Sequence, residues 1–390
     1  MRSCSTWQGA SGNSPVREPV DRVSSFVSVV GARPQFVKLA PVSRAFETLT
    51  GPGTHRVVHT GQHYDPEMSD LFFDELELPR PDLDLGVGSG SHGRQTALMM
   101  EALEAEFARA RPGVVVVYGD TNSTLAATLV STKLKIPTCH IEAGLRSFDR
   151  SMPEEINRVV ADHCGDRLYA PTPAAMANLA REGLEDRAVL SGDVMLDAVR
   201  HNLALAARKS DVLERYDLKG RGFGVVTIHR PFNTTGSRLA AILEALEQIG
   251  RSELPLLFPV HPRTRAGLDE RVRSLESCLR VTTPLGHLDM LRAVSHARVV
   301  ITDSGGLQKE AAFLGVPCIT LRDTTEWTET VEMNANVLVG QSSAMLTAAV
   351  RRALSQDAPD WSESISTHYG DGRAAERIVE DLVRWSSGAS

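Results

Sequence analysis

One alternation of apolar and polar positions runs along most of this chain. Short runs rich in valine, isoleucine and leucine, apolar at nearly every position, are separated by longer stretches with helical spacing. The first series of predicted strands is Ser25–Val30, Arg56–His59, Val114–Tyr118, Thr138–Ile141, Arg167–Ala170 and Ala188–Leu190. A second series follows at Gly224–Ile228, Leu256–Val260, Leu279–Val281, Val299–Thr302 and Cys318–Leu321. Helical spacing fills most of the gaps, as in Gln95–Ala110, Ser237–Gly250 and Gly306–Leu314. Strands alternating with helices imply parallel sheets with both faces covered. The alternation restarts in the polar helical stretch Leu196–Arg221, so the fold class is α/β with two Rossmann-like domains facing across a cleft. The expected boundaries are a disordered tail over 1–22, domains over 23–196 and 197–371, and a last helix within 372–390 that packs back on the first domain.

Composition narrows the possibilities. A length of 390 residues suits two domains of roughly 150–200 residues each. The net charge of −7 argues against a nucleic-acid partner. The five cysteines, Cys4, Cys139, Cys164, Cys278 and Cys318, form no CxxC pair and read as reduced cytoplasmic thiols. No apolar run reaches the roughly 20 residues of a membrane span, so neither membrane nor nucleic acid is expected as a partner.

The candidate chemistry gathers after the predicted strands. Asp120 stands in YGDTNST, Glu142 in HIEAGLRS and Glu154 in MPEEINR. Loops at the carboxyl ends of parallel strands form the ligand crevice, so Asp120 and Glu142 are expected in one cavity, with Glu154 on the next loop. GARPQFVK follows the first strand. Its glycine would let the backbone approach a ligand, the next helix would offer free N–H groups to an anion, and Arg33 and Lys38 would add positive charge. In TDSGGLQKEA, Ser304, Gly305 and Gly306 form a second phosphate-binding turn, with Glu310 placed for a ribose diol; the plain alternative is a helix cap by Asp303 or Ser304. The GxGxxG stretch over Gly88–Gly93 neither closes the first strand nor convincingly opens a helix, and reads as a loop over the cleft rather than a dinucleotide site. His229 and His261 follow strands of the second domain, where His229 could face the acids. The spacing of His55, His59 and His63 lies in a strand pattern, so no catalytic metal is expected.

Taken in order, GARPQFVK, HTGQHYD, YGDTNSTLA, HIEAGLRS, MPEEINR, TIHR, HPRTR, TDSGGLQKEA and RDTTEW resemble the non-hydrolysing UDP-N-acetylglucosamine 2-epimerase family from about Val27 to Tyr369. The resemblance implies a GT-B-like fold, a homodimer, a UDP-sugar substrate and no cofactor. It also implies epimerisation at C2 by elimination of UDP to a 2-acetamidoglucal and its re-addition. Asp120, Glu142 and Glu154 would be the acid/base set, with base and acid not distinguished. His229 would act at the diphosphate or protonate the departing UDP. Arg33, Lys38, Arg158, His261, Arg263, Ser304, Gly305, Gly306 and Glu310 would bind the substrate.

Three positions depart from the usual pattern. Phe232 stands for a glutamate of HRRENLG, Asp65 for a glutamine, and Trp327 for the arginine of RDTTERPE. The first two belong to the activator site of some bacterial members, and the third would remove a cation from near the diphosphate. GARPQF, TGQHYD, QKEA and TEW resemble more closely the branch acting on UDP-2,3-diacetamido-glucuronate, or archaeal relatives. The rival readings are that substrate, a hydrolysing epimerase releasing N-acetylmannosamine, a GT-B glycosyltransferase, and a non-catalytic UDP-sugar-binding protein.

Overall fold

A computed structural model describes residues 26–62, 73–78, 80–234, 236–260, 279–356 and 360–388. The apolar runs become strands of two wholly parallel sheets. The first contains β1 (Phe26–Val30), β2 (His55–His59), β3 (Leu83–Asp84), β4 (Val114–Tyr118), β5 (Thr138–Ile141), β6 (Arg167–Ala170) and β7 (Ala188–Leu190), in the order β3-β2-β1-β4-β5-β6-β7. Its centre is β-branched and buried on both faces: Val27 pairs with Val115, and all of Val114–Tyr118 is buried. Its helices are α1 (Arg33–Thr50), α2 (His92–Ala110), α3 (Asn122–Lys133), α4 (Pro153–Cys164) and α5 (Pro173–Arg181).

Helices α6 (Val194–Lys209) and α7 (Val212–Arg215) lead to the second sheet. There β8 (Gly224–Thr227), β9 (Leu256–Pro259), β10 (Leu279–Thr282), β11 (Val299–Thr302), β12 (Cys318–Thr320) and β13 (Asn336–Leu338) take the order β10-β9-β8-β11-β12-β13. The helices that follow are α8 (Gly236–Ser252), α9 (His287–Val294), α10 (Gly305–Phe313), α11 (Thr328–Glu332), α12 (Ser343–Ser355), α13 (Ser362–Tyr369) and α14 (Ala374–Gly388). The expected α/β, GT-B-like architecture is therefore present. The strands absent from the sequence reading are β3, only two residues long, and β13, at the sheet edge and partly exposed.

Contacts between the halves include two apolar clusters. Apolar residues of α14, including Ile378, Val379 and Leu382, join Phe36, Leu39 and Phe46 of α1 in one core. Asp381 accepts from Arg167 and Tyr169, each at 2.8 Å. A second cluster sets Trp327 and Tyr369 against Ala143, Leu145 and Leu179 of the first half. The GxGxxG segment does open a helix, contrary to expectation, since Ser91 is the N-cap residue of α2. It follows the edge strand β3, though, not β1, so it lacks the strand context of a dinucleotide fingerprint. Among the described residues no helix is long and apolar enough to cross a membrane.

Candidate functional site

Both sheets reverse their strand order once, between β1 and β4 in the first and between β8 and β11 in the second. Crevices form outside the carboxyl ends of strands at such points. A cavity of about 450 Å³ lies there, walled by Arg33, Lys38, Asp120, Glu142 and Arg158 from the first half and by His229, Ser304, Gly306, Lys309 and Glu310 from the second.

Glu142 follows β5 directly, with a left-handed φ of 72°. For a residue with a side chain this is a costly conformation, tolerated where surroundings over-determine it. Here the N–H groups of Glu142 and Ala143 both donate to the Tyr169 carbonyl, at 3.1 and 3.0 Å. Gly144 is packed so closely that a Cβ would lie 2.4 Å from the Ala175 carbonyl oxygen. The carboxylate thus fixed is buried between two ammonium groups, Lys38 of α1 and Lys309 of α10, the latter at 3.4 Å. Burial alone would raise this carboxyl; Lys38, Lys309 and Arg158 outweigh it and bring it down to about 2.

Asp120 ends the loop after β4. Gly119 before it takes a φ of 61°, and a Cβ there would lie 3.0 Å from both Glu142 Oε2 and Lys38 Nζ. Buried His140 clamps this loop, one ring nitrogen 2.7 Å from the Gly119 carbonyl and the other 2.7 Å from Asp162. The Asp120 carboxylate is ion-paired with Arg158 and about a third exposed, 32% for the side chain. Glu154 does not join Asp120 and Glu142. It is exposed at the start of α4 and lines a neighbouring cavity of about 470 Å³ with Arg230, Phe232, Arg238 and Arg322. The inward carboxylate of that pair is Glu155, which accepts from the Ser147 and Phe148 amides at 2.8 and 3.0 Å and from Arg158 at 3.2 Å.

The two expected phosphate turns differ. At α1 the Gln35 side-chain oxygen already accepts from the Gly31 and Ala32 amides, at 2.8 and 3.2 Å, so those N–H groups are not free for an anion. Gly31 faces protein, not ligand: a Cβ there would lie 2.0 Å from Thr60 Oγ1 and 2.3 Å from Ser123 Oγ. Arg33 and Lys38 do reach the cavity. At α10 the N-terminus is open. Gly306 lines the cavity and a Cβ there would meet no atom within 4 Å, whereas one on Gly305 would lie 2.3 Å from Glu326 Oε1. Ser304 is the N-cap residue, its hydroxyl accepting from Leu307 at 3.5 Å. Glu310 borders the cavity one turn on, and burial raises its carboxyl to about 7.

Asp303 does not cap α10. It is fully buried and turns back to the loop after β8, accepting from the His229 and Arg230 amides at 3.1 and 3.0 Å and from the Asn233 side chain at 2.9 Å. His229 Nδ1 lies 3.0 Å from Asp303 Oδ1. Burial would raise the Asp303 carboxyl, but the contacts with His229 and Asn233 hold it below the usual range. Trp327, in the place of the expected arginine, packs against Lys309, whose Nζ lies 3.5 Å from the centre of its ring. Phe232 is half exposed, with the Arg238 guanidinium 4.8 Å above it. His261, Arg263 and Asp65 lie outside the described residues.

Sequence reading missed Lys309, Asp193 and the orienting role of Asp303. Lys309 was open to detection, because a lysine beside Glu310 on a short helix that also carries Leu307, Ala311, Ala312 and Phe313 has little solvent to reach.

A family model described as UDP-N-acetylglucosamine 2-epimerase matches residues 50–383. A UDP-N-acetylglucosamine 2-epimerase homolog of Methanococcus maripaludis is 43% identical over 367 residues, covering 91% of this chain and 98% of that protein. The UDP-2,3-diacetamido-2,3-dideoxy-D-glucuronate 2-epimerase of Pseudomonas aeruginosa is 42% identical, covering 92% and 99%. The crystal structure of the Methanocaldococcus jannaschii UDP-GlcNAc 2-epimerase, in complex with UDP-GlcNAc and UDP, superposes with a TM-score of 0.82 at 40% identity, covering 92% of this chain and 99% of that one.

Proposed function

The chain belongs to the UDP-N-acetylglucosamine 2-epimerase family, and from that premise we propose that it interconverts UDP-N-acetylglucosamine and UDP-N-acetylmannosamine in this cavity. The observation that carries the reading is the pairing of two carboxylates, Asp120 and Glu142, with an open helix N-terminus and Glu310 across one cleft.

The C2 hydrogen of the sugar is too weakly acidic to be removed directly, since no carbonyl adjoins it. Breaking the C1–O bond to UDP first builds positive charge at C1 and acidifies that hydrogen. A carboxylate takes the proton, leaving a 2-acetamidoglucal and UDP. A proton delivered to the opposite face of C2, with return of UDP to C1, gives the epimer with every atom conserved. The start of α10, with Arg33 and Lys38 opposite, stabilises the diphosphate as it departs. His229, held through Nδ1 by Asp303, presents its other ring nitrogen as the proton donor to the leaving group. Glu142, held in its ionised form by Lys38, Lys309 and Arg158, is assigned the role of proton acceptor. Asp120 serves the other face, and Glu154 reaches the sugar only through a rearrangement of the start of α4. Glu310 holds the ribose diol. A cytoplasmic homodimer is part of the same proposal.

Proton NMR of the purified chain with UDP-GlcNAc tests this: UDP-ManNAc should accumulate without free N-acetylmannosamine. Free N-acetylmannosamine would make it a hydrolase, and no turnover would refute the reading. The same chemistry on UDP-2,3-diacetamido-glucuronate is the second reading, favoured by the Pseudomonas relative and decided by running that substrate in parallel.

A further inference from the structure

Between the two halves lies a buried line of four alternating charges, Lys38, Glu142, Lys309 and Asp193. Three belong to the first sheet's side of the cleft; only Lys309, on α10, is contributed by the second. Its ammonium sits 2.6 Å from Asp193 Oδ2 and 3.4 Å from Glu142 Oε1, and the residue is 1% exposed. Asp193 is itself fixed, accepting from the Met195 amide at 2.8 Å and donating its own amide to the Tyr369 carbonyl at 2.9 Å. The Trp327 ring packs against the ammonium, its centroid 3.5 Å from Nζ. The line carries no net charge, so its interior cost is met only while all four members are in place.

We propose that Lys309 is a positioning residue through which the second domain sets the place and charge of Glu142. With α10 seated, the ammonium anchored on Asp193 holds the carboxylate against Lys38; with α10 withdrawn, Glu142 keeps only its first-domain partners. Proton transfer is thereby coupled to the apposition of the domains that also brings the diphosphate-binding helix start over the sugar. The proposal rests on the reading of Glu142 as a proton-transfer group. The charged groups facing Glu142 are Lys38 from α1, Arg158 from α4, Lys309 from α10, Asp120 across Arg158 and Asp193 beyond Lys309. Of these, Lys309 alone ties it to the second domain.

The test is the Lys309→Met variant beside Lys309→Arg, with two readouts. One is the pH profile of kcat. The other is the carboxyl titration of Glu142 by 13C NMR of glutamate-labelled protein, assigned through Glu142→Gln, which requires no turnover. Removing the cation should raise the Glu142 midpoint by at least about one pH unit and move the acid limb of kcat upward with it, with little change in KM. Lys309→Arg should restore both. Lys309→Gln, polar but neutral, should raise the midpoint in the same direction and decides the matter if Lys309→Met does not fold. An unmoved Glu142 midpoint in Lys309→Met, or in Lys309→Gln where only that variant folds, overturns the proposal, whatever happens to stability. A moved midpoint in a chain with no epimerase activity would leave the positioning role standing and remove the functional reading instead.

Discussion

Replacing Asp303 by asparagine separates the second domain's contribution to the site from its contribution to the fold. The carboxylate is fully buried and meets four donors: the His229 and Arg230 amides, the Asn233 side chain and the His229 ring. An amide keeps one accepting oxygen and turns two hydrogens toward the donors that faced the other. Two contacts to a charged acceptor are lost, at about 1.5–3 kcal/mol each, so Asp303→Asn should destabilise by about 3–6 kcal/mol. That is a large part of the roughly 5–15 kcal/mol typical of a folded domain. With a slope of roughly 3 kcal/mol per molar, the urea midpoint followed by circular dichroism should fall by about 1–2 M. Turnover should fall further than stability implies, by at least about a hundredfold at temperatures where the variant is folded, because His229 loses the partner that fixes its tautomer. The folded-state carboxyl lies below its ordinary value, so its stabilisation is complete above that value and fades as pH falls through the depressed one. The gap between the two proteins should therefore close only in acid. A midpoint within about 0.3 M of the parent together with near-normal turnover would refute this account of Asp303.

Other substitutions and conditions separate fold from site. Gly31→Ala should cost about 1–3 kcal/mol, read by thermal unfolding, since its Cβ would run into Thr60 and Ser123. Gly306→Val should leave the melting temperature within about 2 °C yet raise KM at least about tenfold, because it fills the open start of α10. Glu310 is raised to about 7 in the free protein, and a diol is best held by the ionised form; calorimetry with UDP-GlcNAc should show affinity rising from pH 5.5 to about 7 and levelling above, with the slope absent in Glu310→Gln. Asp120→Asn and Glu142→Gln should each lower kcat by at least about a hundredfold, and near-normal rates in both would remove them from the proton steps.

The strands were legible because parallel sheets covered on both faces need continuous β-branched runs, and Val114–Val117 or Val299–Ile301 admit little else. Edge strands escape that pattern: β3 and β13 bury too little to demand it. The cavity's location followed from strand ends, which is why Asp120, Glu142, His229 and Glu310 all border it. Partnership within the site was not legible. Nothing local says that Gln35 would fold back onto the Gly31 amide, that Asp303 would turn from its own helix to His229, or that Glu154 would point outward while its neighbour Glu155 went in. The partner of Trp327 was hidden for the same reason. The Lys309 ammonium reaches its ring from another helix.

Inversion through an eliminated glucal requires the hydrogen at C2 to leave and be replaced from solvent-exchangeable groups on the enzyme. Incubation with UDP-GlcNAc in deuterated water, followed at C2 by NMR, reads that step directly. The account predicts deuterium at C2 of both UDP-GlcNAc and UDP-ManNAc, with UDP retained in the sugar nucleotide pool. Conversion to UDP-ManNAc with the C2 hydrogen fully retained would contradict it.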